Sequence, residues 1–65
     1  MAGLNLEPNI ARPDDIYDRL VALHAGLDDT QSAVVNSKLV LLLANHIGDE
    51  AIIRQAIALA RELGD

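Results

Sequence analysis

His24 and His46 are the two side chains of this sequence suited to proton transfer near neutral pH, and imidazole is also a common metal ligand. Each falls near the C-terminal end of an expected helix, where the carbonyl end of the helix dipole favours a cation, which is a structural reason for both. With the first two helices antiparallel, His24 lies level with Ser32, roughly 20 Å from His46 at 1.5 Å per residue. A shared metal therefore requires two copies, His24 of one beside His46 of the other.

Asn36 is a polar amide expected on an apolar helix face. Left unpaired there it costs about 1 to 3 kcal/mol, so it is locally satisfied or sets the register of a contact between subunits. Asn45, His46, Gly48 and Asp49 form a polar corner. A helix stop and the next cap account for Gly48 and Asp49, leaving Asn45 and His46 as candidates for docking or ligand contact. Ser32 and Ser37 have no Gly-x-Ser-x-Gly elbow, no base at hand, and no Asp-Ser-Leu setting for a phosphopantetheine arm. Asp14-Asp15 and Asp28-Asp29 are sequence neighbours that do not face each other on a helix, so they are caps rather than a catalytic dyad. There is no glycine-rich phosphate loop. These residues give no catalytic set and no cofactor site, and the expectation is a protein that is not an enzyme.

The elements that would position them are organised around Lys38 to Asp49, KLVLLLANHIGD. Six successive apolar residues, Leu39 to Ala44, leave a helix little polar face, so this helix is expected at the centre and most buried. The run is far short of the roughly 18 to 20 residues of a membrane span. Pro13 starts a first helix over about 13–25, with Asp14 and Asp15 in its first turn. Ile16, Leu20, Leu23 and Leu27 form its stripe, Asp15 pairs with Arg19, and Gly26 stops it. The second helix, about 30–47, is capped by an Asp28/Gln31 capping box. Its main face holds Ala33, Leu39, Val40, Leu43 and Ile47, with Val35 and Leu42 widening it. Val34 and Leu41 fall opposite, a second seam that another element must cover. Gly48 and Asp49 lead into a third helix over about 50–63, with Ile53, Ala56, Ile57 and Ala60 on one stripe, a Glu50–Arg54 pair on its wet side, and Gly64 as its stop.

Residues 1–12 lack helical periodicity and contain Gly3, Pro8 and Asn9, an extended arm whose Leu4, Leu6 and Ile10 would lie across the helices. The expected architecture is all-α: an extended N-terminal arm, then an up-down-up three-helix bundle over 13–65. At 65 residues, with no cysteine and one aromatic, Tyr17, the core must be aliphatic and is too small to stabilise itself comfortably. A charge of -5, ten acidic residues against five basic, repels a phosphate backbone and excludes the nucleic-acid binders that carry a basic footprint. With no signal peptide or lipidation pattern, the expected address is the cytoplasm, away from membrane.

LVLLLANHIGD, from Leu39 to Asp49, and LNLEPNIARPDD, from Leu4 to Asp15, resemble a small bacterial family of short acidic helical proteins, a domain of unknown function. The likeness extends over most of the chain. Members of that family are often encoded beside flavin-dependent aromatic hydroxylases, which implies an accessory role in aromatic catabolism; the family offers no catalytic residues to transfer. Residues and resemblance together lead to a non-enzymatic interaction module, homodimeric or docked on a larger enzyme. Its expected interface is Val34, Asn36, Leu41, Leu42, Asn45 and His46. The alternative is a small-ligand or metal-binding protein that joins His24 and His46 across a dimer.

Overall fold

A proline with fixed φ at the first helical position starts α1, which spans Pro13–Leu23. The structure, a computed structural model, describes residues 3–64. Met1 and Ala2 of the expected arm, and Asp65 of the expected bundle, lie outside the described residues. Two further helices follow, α2 at Asp29–Ile47 and α3 at Glu50–Leu63, and the fold is all-α.

The helix ends follow local chemistry. Asp28 Oδ1 accepts from the Gln31 backbone N–H at 2.8 Å while Gln31 Oε1 accepts from the Asp28 N–H at 3.1 Å, the reciprocal capping box that begins α2. Gly48 ends α2 in the left-handed region, φ 70°, with its N–H donating to the Ala44 carbonyl at 2.9 Å. Asp49 then caps α3, its Oδ1 accepting from Ala51 and Ile52. Glu50 and Arg54 pair at 2.7 Å as the spacing predicts. Gly64 caps α3 in a right-handed conformation, φ -76°.

Three local expectations change. α1 stops at Leu23 rather than residue 25, because the His24 and Ala25 N–H groups bond three residues back, to Val21 and Ala22, and tighten the chain into a turn that Gly26 completes at φ 76°. Asp15 pairs with Arg12 at 3.7 Å, not with Arg19. α2 begins at Asp29, one residue earlier than expected.

The larger correction concerns packing. Among the described residues none is buried, and no helix packs along its length against another. The central helix is not the most covered: only Ser32, Val35, Leu39 and Ala44 of α2 are half-buried, against Ile52, Ile53, Ala56 and Leu59 on the shorter α3. The radius of gyration is 13.4 Å, where a compact chain of this length has about 11 Å. The exposed surface is 5954 Å²; a compact monomer of 7.0 kDa exposes about 4,000 Å², so this chain shows about 1,900 Å² more. Length explains part of this. The 11 residues of α1 reach about 16 Å, little more than half the roughly 28 Å of the 19-residue α2.

Candidate association surface

α2 and α3 leave an open cleft beside the Gly48-Asp49 connection. Val40, Leu43, Ala44 and Ile47 line it from α2, and Ile52, Ile53, Ala56, Ile57 and Ala60 from α3. Leu4 of the N-terminal segment closes one side, and the volume is about 270 Å³. The segment is held by the Leu4 N–H, which donates to Gln55 Oε1 at 2.9 Å. Of the three apolar arm residues only Leu4 docks; Leu6 and Ile10 stay exposed. Every residue lining the cleft is aliphatic. No lining side chain is polar or charged, so the chemistry of the cleft is displacement of water by apolar surface.

The residues expected at an interface are on the surface. Val34 is 49% exposed, Leu41 70% and Leu42 69%, and Asn36, Asn45 and His46 are exposed as well. Lys38, Leu41, Leu42 and Asn45 share one shallow depression, which brings Asn45 to the seam. Asn36 makes no side-chain hydrogen bond among the described residues, whereas Ser37 Oγ donates to the Ala33 carbonyl at 2.9 Å and is held in its own helix. His24 is the half-buried C-cap of α1 and His46 is in the last turn of α2. Among the described residues no three His, Cys, Asp or Glu side chains gather to hold a metal ion, and no helix is long and apolar enough to cross a membrane.

The unanticipated part of the surface is the cleft itself. Val40, Leu43, Ile47 and Ile57 have the periodicity of an internal core, yet Val40 is 62% and Ile57 63% exposed. Their pattern signals burial without saying in which chain. Gln55 also escapes a reading by residue type, since an amide on an exposed helix face acquires its role only when Leu4 folds back onto it.

Fold and surface together define a short all-α chain whose α2 carries exposed apolar residues on two sides. The chain belongs to the family described as Protein of unknown function (DUF2783), whose model matches residues 4–62. No curated protein and no solved structure matches it.

Proposed function

We propose that this chain is a non-enzymatic helical interaction module of the bacterial cytoplasm that reaches its packed state only against another chain. The observation that supports this is the surplus of about 1,900 Å² of exposed surface, on a chain whose most apolar helix is open on both the cleft and the Val34/Leu41/Leu42 sides. Large apolar residues gathered exposed on a helix face mark surfaces used for association. The net charge of -5 disfavours nucleic acid as the other party.

The partner is a second copy or another protein. The neighbourhood implied by the family resemblance, flavin-dependent aromatic hydroxylases, makes an accessory subunit of such an enzyme the heterologous form of this reading. Metal or small-ligand binding through His24 and His46 has no feature of the site in its favour beyond the residue types. Multi-angle light scattering and circular dichroism on the purified chain test the proposal. The expected result is a helical species heavier than 7.0 kDa, or a poorly ordered monomer that gains helicity when its partner is added. A well-ordered 7.0 kDa monomer that binds nothing would sink it.

A further inference from the structure

We draw no further inference here: the strongest candidate, the aliphatic cleft between α2 and α3 that Leu4 closes on one side, is an open apolar face, and nothing in the structure shows what covers it, whether a second copy, another protein or the chain's own α1.

Discussion

Asn36 shows how far residue type reaches and where it stops. Its helical position places an amide on the same side of α2 as Val40 and Leu43, and the structure leaves that amide exposed and without a side-chain hydrogen bond among the described residues. An exposed asparagine is inexpensive in an isolated chain; at a closed interface it must find a partner or cost about 1 to 3 kcal/mol. Asn36→Leu is therefore expected to raise the thermal midpoint by several degrees and to broaden the distribution of oligomers, since a polar group that fixes register is lost. Sedimentation velocity checks it, and an unchanged profile removes Asn36 from the interface. Asp49 is the simpler case. Its carboxylate accepts from two N–H groups at the start of α3, and Asp49→Ala should cost about 1 kcal/mol, read as a lower denaturant midpoint. The roles of such capping residues are legible because they depend on neighbours three or four positions away. Gln55, whose partner Leu4 is 51 positions away, depends on how the chain folds back.

At the scale of elements, local signals set the boundaries. The Asp28/Gln31 box, Pro13, Gly48 and Asp49 all stand where their spacing puts them, and α3 has its expected limits. α1 ends early because its last turn tightens at His24 and Ala25, a choice between three- and four-residue hydrogen bonding that apolar spacing does not distinguish. Gly48 joins α2 to α3 at φ 70°. A Cβ there meets no close atom, the nearest being the Asn45 carbonyl oxygen at 3.8 Å, so the strain of Gly48→Ala is one of backbone conformation rather than space. The substitution should destabilise by about 1 to 2 kcal/mol through the left-handed backbone, lowering the thermal midpoint while leaving the oligomeric mass unaltered. Differential scanning calorimetry with light scattering measures both.

For the whole molecule, hydrophobic periodicity identifies faces that leave water but not the chain that covers them. Leu39 to Ala44 has the pattern of a central helix, and in this structure that helix is open along most of its length. The outcome follows from an aliphatic core with one aromatic and an α1 too short to span α2, so the area that would offset chain entropy is not reached within 65 residues. Electrostatics adds a secondary effect. Two chains of charge -5 repel across any shared contact, so raising salt from about 0.05 to 0.5 M should strengthen self-association modestly, opposite to an interface held by ion pairs. Equilibrium sedimentation at the two ionic strengths checks the sign.

Thermal unfolding of the purified chain over a wide range of concentration tests most directly whether association completes this fold. If the packed state is shared between copies, the midpoint rises by roughly 10 °C for each hundredfold increase in concentration, as mass action requires. A sharp cooperative transition at one midpoint, the same at every concentration, would contradict it.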